Sequence, residues 1–234
     1  MRQFIEVVRR TCWAWMMFSA VAGAASALFV DAETDAEEVT ISAAARVLPP
    51  PRNYEFPIRQ SYRYSAEWHL LSAGKVQLSM ESSEQGRHAV VLADSAGVVN
   101  FLFAVHDHFR TTINPHTFCS LAVSKHTEEG SRRRNTEVRF DYSRRKSILH
   151  ENNLKTGQIK DAQHDIPGCV TDVMSGFYYL GSLPLVPAAI FVFPVNDGGA
   201  TSEITATVEA REQVNTPAGR KNATSLASET SKCW

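Results

Sequence analysis

The sequence predicts a mainly β protein: a curved antiparallel sheet or open half-barrel with one or two short helices. Three observations predict it. Apolar and polar residues alternate with period two through most of residues 61–211. Turn signals containing Gly, Asn or Pro separate the alternating runs. Only one stretch, before residue 31, is long and apolar enough to cross a bilayer, which excludes a multi-span membrane protein. The chain has 234 residues, 44% hydrophobic and 21% charged, which excludes a wholly disordered polymer. A net charge of −1 gives no global basic field that would point to nucleic acid.

Arg2, Arg9 and Arg10 open the chain, and Thr11 to Val30 carries no charge. Ala25-Ser26-Ala27 has the small-x-small form of a cleavage site, so residues 1–27 are expected to be a signal peptide. The same stretch is long enough to remain as an N-terminal anchor. Either way the expected location is the periplasm or cell envelope. Residues 28–53 hold five acids (Asp31, Glu33, Asp35, Glu37, Glu38) and then Pro49-Pro50-Pro51. They read as an extended linker, and a single domain is expected to run from Tyr54 to Trp234. From residue 39 onward 21 bases face 19 acids, so the folded part is nearly neutral and slightly basic. Beyond the leader three cysteines remain. Export permits a disulfide: Cys119 and Cys169 are one possible pair, or both are small buried apolar side chains. Cys233 is expected to be exposed.

In the first strand Tyr62, Tyr64, Ala66, Trp68 and Leu70 face one way, and Ser61, Arg63, Ser65, Glu67 and His69 the other. Ser72-Ala73-Gly74 reads as a turn into Val76, Leu78 and Met80, and Gln85-Gly86 as a turn into 87–95. Residues 97–105 are apolar on all sides and are expected to form a short buried helix or turn. Further runs follow on 108–113, on Cys119, Leu121 and Val123, on 136–142 and 145–152, on 188–195, and on 204–211. Asn196-Asp197-Gly198-Gly199 is a tight-turn signal. Val173, Phe177 and Leu180 have helical spacing, with Thr171 or Asp172 as the cap and Gly181 at the end. The count is about nine or ten strands.

Four features carry candidate chemistry. The aromatic face of the first strand and the late helix suggest a lining for an apolar or amphipathic ligand: Tyr62, Tyr64, Trp68, Phe177 and Tyr178. Asp172 and Ser175, one helical turn apart, make a candidate polar site, with capping and packing as the plainer role. Arg132, Arg133, Arg134, Arg139, Arg144 and Arg145 form a basic patch that could meet an anionic surface or an envelope partner; a solvated hairpin blunting a sheet edge would look the same. His106 and His108 share a face but lack a visible third ligand. There is no Gly-x-Ser-x-Gly elbow, paired-carboxylate site or metal constellation. The expectation is a protein without catalysis, cofactor or metal. Its partners would be a lipid or other apolar ligand, or an envelope protein or anionic surface, and not nucleic acid.

Several stretches together resemble an exported bacterial domain-of-unknown-function family, DUF3108-like. They are Phe56-Pro57, Tyr62-x-Tyr64, Trp68 and Ala73-Gly74-x-Val76-x-Leu78; Asn114-Pro115 with Phe118; Phe140-Asp141-Tyr142; Ile166-Pro167 with Thr171-Asp172-x-x-Ser175-x-Phe177-Tyr178-Tyr179-Leu180; and Thr216-Pro217-Ala218-Gly219. They span about 56–220 in order. The resemblance implies a β fold and an envelope location, and no established activity. Gly181 stands where the family usually has arginine. The family usually continues for more strands after the Pro-Ala-Gly turn, whereas the polar tail KNATSLASETSK shows no strand pattern. The domain is therefore expected either to be complete at Trp234 or to stop short of the family's last strands.

Overall fold

The computed structural model describes residues 45–68, 71–216 and 219–233, and within these not the side chains of 68, 71 or 231–233. The leader, most of the linker, His69, Leu70 and the Trp68 and Cys233 side chains lie outside that description. The described residues belong to one compact unit beginning at Ala45. Eight strands form one sheet in chain order: β1 (Ser61–Trp68), β2 (Leu71–Ser83), β3 (Gly86–Ser95), β4 (Val105–Ile113), β5 (Ser120–Glu129), β6 (Arg132–Asp141), β7 (Lys146–Asn153) and β8 (Ile159–Asp165). Every neighbouring pair is antiparallel and the sheet is open, with β1 and β8 as edges. Helix α1 (Gly97–Leu102) joins β3 to β4, and α2 (Val173–Ser182) follows β8. A second sheet has the order β11-β10-β9, with β9 at Ile190–Val195, β10 at Ser202–Thr216 and β11 at Gly219–Cys233.

The pleat decides which residues enter the core. Leu78, Met80, Ala89, Val91 and Ile113 point to the inner face of the large sheet. They pack with Tyr178, Tyr179 and Leu180 of α2 and with Phe193 and Ala206 of the second sheet. Phe118 is fully buried and meets Tyr54, Phe56 and Tyr179 at ring-centroid distances of 5.5, 5.0 and 5.7 Å. Such pairs add about 0.5–1.5 kcal/mol each beyond area burial. A second cluster, Val123, Val138, Phe140, Leu149, Ile166 and Val170, lies under β5–β7.

Several expectations are corrected. Trp68 pairs with Leu71, so Ser72-Ala73-Gly74 lies inside β2 and is no turn; Gly74 pairs with Ser95, and a Cβ there would come within 2.6 Å of Asp94 O. Residues 45–53 are not free of the domain. Arg46 N–H donates to Val192 O (3.3 Å), Leu48 N–H to Tyr179 Oη (3.2 Å), and Val47 packs on the core. Helix α1 forms where expected but buries nothing. In β5, Ile113 pairs with Ser120 and Thr112 with Ala122, so Leu121 falls in a bulge. The bulge turns Ser120 to the inner face, where alternation from Cys119 through Val123 had implied otherwise. The polar tail is no irregular end: it is β11, paired along β10 from Thr216↔Gly219 to Ser202↔Cys233. Its β-branched threonines suit a strand even without an apolar stripe, and Leu226 packs on the core. With β8, also unpredicted, the described residues hold eleven strands. The turn at 196–199 is as expected, held by Gly198 N–H to Asn196 Oδ1 (2.8 Å).

Candidate functional site

Asp172, Ser175 and the two central strands form the most connected polar cluster. Thr171 bridges to Val195, and Asp172 caps α2 in a full capping box with Ser175. Asp172 Oδ1 accepts from Thr111 Oγ1 (2.9 Å), Met174 N–H (2.8 Å) and Ser175 N–H (3.3 Å). Its Oδ2 accepts from Ser120 Oγ (2.6 Å) and Ser175 Oγ (2.8 Å). Burial and then the charge of Asp197 push the carboxyl above its ordinary range, against the pull of the three hydroxyls. The cluster ties the start of the helix to β4 and β5. Cys119 and Cys169 are joined in a disulfide, Cα–Cα 5.2 Å, beside it. Tyr142 Oη donates to Ser120 O (2.6 Å) on the same side. The arrangement is a clamp on the helix, and every Asp172 oxygen is satisfied from within. Thr111 and Ser120 were not legible from the sequence. Thr111 sits in an ordinary alternating strand, and only the bulge turns Ser120 inward.

Of the expected ligand-lining residues, Tyr62 and Tyr64 lie on β1 near Tyr178 of α2, and Phe177 is the neighbour of Tyr178 on the helix. Tyr62 and Phe177 keep 42% and 38% of their surface exposed, and Tyr64 is half-buried against the core. Tyr62 lies on the inner face across from Leu78 and stays exposed because β1 is an edge strand with one neighbour. Its hydroxyl donates to Gln60 Oε1 (2.6 Å). Phe177 meets Tyr178 edge-on at 5.7 Å. Tyr178 is 5% exposed, and its hydroxyl has no hydrogen-bond partner among the described residues. Burial, then the nearby Tyr62, Tyr64 and Tyr54 hydroxyls, push its pKa well above the ordinary tyrosine value, so it stays a neutral O–H. The position of the Trp68 ring is outside the described side chains.

Strand pairing splits the expected basic patch. Arg132 and Arg134 fall on the inner face, Arg133 and Arg139 on the outer face, and Arg144 and Arg145 in the β6–β7 turn at the opposite end of β6. Arg134 meets Glu151 (3.4 Å), and Arg133 meets Glu128 (3.8 Å). The inner-face arginines instead border an open depression of ≈ 460 Å³ with Lys125, Glu151, Lys160 and Asp197. Lys125 Nζ binds Asp197 Oδ2 (2.7 Å), which draws the 196–200 turn over β5. His164 also borders this depression. It and Lys160 lie on β8, whose only inward apolar residue is Ala162, so no alternation announced them. His106 and His108 lie on the outer face, where His106 Nδ1 meets Asp94 Oδ1 (2.9 Å) and His108 pairs across from His126. No group of three or more metal-ligating side chains occurs among the described residues.

These features define a class: an open eight-stranded meander, a clamped helix against its inner face, and a small second sheet completing the core. Residues 63–231 match a family described as protein of unknown function (DUF3108), and the chain belongs to that family. No curated protein and no solved structure matches the chain.

Proposed function

We propose that the protein is an exported, non-catalytic binding module of the cell envelope that takes an amphipathic ligand at the β1 edge. The ligand's apolar part would lie against Tyr62, Tyr64 and Phe177, and its polar group would meet the Tyr178 hydroxyl. That hydroxyl carries the reading: it is buried and unpartnered among the described residues, directly beside exposed aromatic rings. Leaving such a group unpaired costs about 1–3 kcal/mol, which a ligand acceptor would recover. Export is supported by the charged-then-apolar leader and by the Cys119–Cys169 disulfide, a bond that persists in oxidising compartments.

The test is native mass spectrometry and lipid extraction of the full chain purified from an exporting host. The wild type is expected to carry a bound small molecule, and Tyr178→Phe to retain about a tenth of it or less. A wild type that carries nothing, or a Tyr178→Phe variant equally loaded, would reject the reading. Recovery of the protein in the cytoplasmic fraction would reject the export half of it.

A further inference from the structure

The chain around Tyr178 carries no charge. From Val173 through Val195, along α2 and on through β9, there is no Asp, Glu, Lys, Arg or His. The inward positions of β1 and β2 nearby, from Tyr62 to Ala66 and from Gly74 to Met80, are uncharged as well. Arg87 is the inward cation of β3, two inward positions along from Val91. Its guanidinium sits over the Phe56 ring (5.8 Å) and donates to Ser82 Oγ (2.6 Å). Arg52, Glu55 and Arg59, on the segment entering β1, are exposed. The ionisable side chains that act on Tyr178 are three other phenols, Tyr62, Tyr64 and Tyr54.

Asp172 shows what a buried carboxylate takes in this protein. Its two oxygens accept five hydrogen bonds, from three hydroxyls and two backbone N–H groups. The β1 edge offers far less. The Tyr62 hydroxyl already donates to Gln60 Oε1. On β1, β2 and α2, Tyr178 Oη is the one buried side-chain polar atom without a partner among the described residues. One free donor with no cation beside it satisfies a single neutral acceptor oxygen. It would leave an ionised carboxylate or phosphate uncompensated, and no carboxylate stands there to hold an ammonium.

We infer that the ligand of the β1 edge is an uncharged lipid whose buried polar group is an acceptor oxygen, such as an ester or ketone carbonyl, received by the Tyr178 O–H. The inference rests on the β1-edge reading above and narrows it: fatty acids and alkylamines of the same chain length are discriminated against by charge alone. Such discrimination is large, because an unpaired buried charge costs far more than an unmade neutral hydrogen bond.

The experiment uses the delipidated full chain in equilibrium dialysis at pH 8 against three probes of one chain length: methyl dodecanoate, dodecanoate and dodecylammonium. The methyl ester is expected to bind at least about tenfold more tightly than either ion. Mass spectrometry of the lipid extracted from the protein as purified should find a molecule with no group ionised at pH 8. Dodecanoate or dodecylammonium bound as tightly as the ester would overturn the inference, as would an ionised co-purified ligand; both leave the β1-edge site standing. Failure of all three probes also overturns it. If the purified protein then carries no small molecule either, the β1-edge reading falls with it. Both measurements are made on the wild type, so neither depends on a variant that might fail to fold.

Discussion

One cross-strand row of the inner face runs Tyr62–Leu78–Val91–Phe109 on β1–β4 and continues Lys125–Thr136–Glu151–Lys160 on β5–β8. The pairing is the same throughout, yet the residues change from apolar to charged between Phe109 and Lys125. The difference lies in what the chain later brings to each half. Over β1–β4 come α2, Phe193 and Ala206 of the second sheet, and Tyr54 and Phe56. Over β5–β7 only the adjacent row is covered, where Val123, Val138 and Leu149 pack under Ile166 and Val170. The pleat sets which side chains face inward, and the returning segments set which of those are dry.

The largest expected effect breaks the attachment of that cover. The disulfide fixes the segment entering α2 to the start of β5 and closes a loop of 50 residues in sequence separation. Chain-entropy reasoning gives a loss of about 4 kcal/mol on replacing both cysteines by serine. Urea unfolding of the oxidised wild type and the double variant measures it. A loss below about 1 kcal/mol would mean that the Asp172 clamp alone holds the helix, an outcome the bond's loop length argues against.

A smaller and sharper test compares two positions of the same row. Leu78 is 6% exposed under α2, so Leu78→Ala should cost about 3 kcal/mol through lost burial and the cavity left behind. Glu151 borders the open depression, and its ion pair with Arg134 is part-exposed at 3.4 Å. Glu151→Ala should change stability by less than about 1 kcal/mol. Equal costs at the two positions would mean that the charged half is also covered in solution.

How far the sequence could be read follows the same division. Strands with a covered apolar face, such as 76–80 and 87–95, showed in the alternation, because burial is what selects it. β8 and β11 did not, because IKDAQHD and the Ser/Thr-rich tail pair through backbone and bury little. Asp172 and Ser175 were legible as a cap at helical spacing. Their partners Thr111 and Ser120 were not, since a bulge in register sets the face of Ser120. Tyr62 and Tyr64 share one face of β1, as the alternation implied. The Arg-rich stretch misled because contiguity in sequence is not contiguity in space on a strand: alternate residues part to opposite faces.

The smallest effect concerns two histidines of the outer face. His88, on β3, is buried between Ser83 Oγ (2.7 Å) and Thr112 Oγ1 (3.1 Å). Burial, and then Arg110, hold its basicity below the ordinary value near 6.5. His126, on β5, is part-exposed, and its hydrogen bond to Asn135, with the bond and charge of Glu128, raises it. The signs for stability are opposite. Between its folded and unfolded values His88 binds fewer protons folded than unfolded, so stability falls as pH drops through the ordinary value towards the lower folded one. The contribution of His126 is fully present below the ordinary value and is lost as pH rises through the raised folded one. Imidazole proton NMR should place His88 below 6.5 and His126 above it. In urea unfolding, His88→Gln should flatten the acid side of the stability profile and His126→Gln the neutral side. If both rings titrate together near 6.5, the outer faces of the two halves are equally wet, and the contrast between covered and open stops at the inner face.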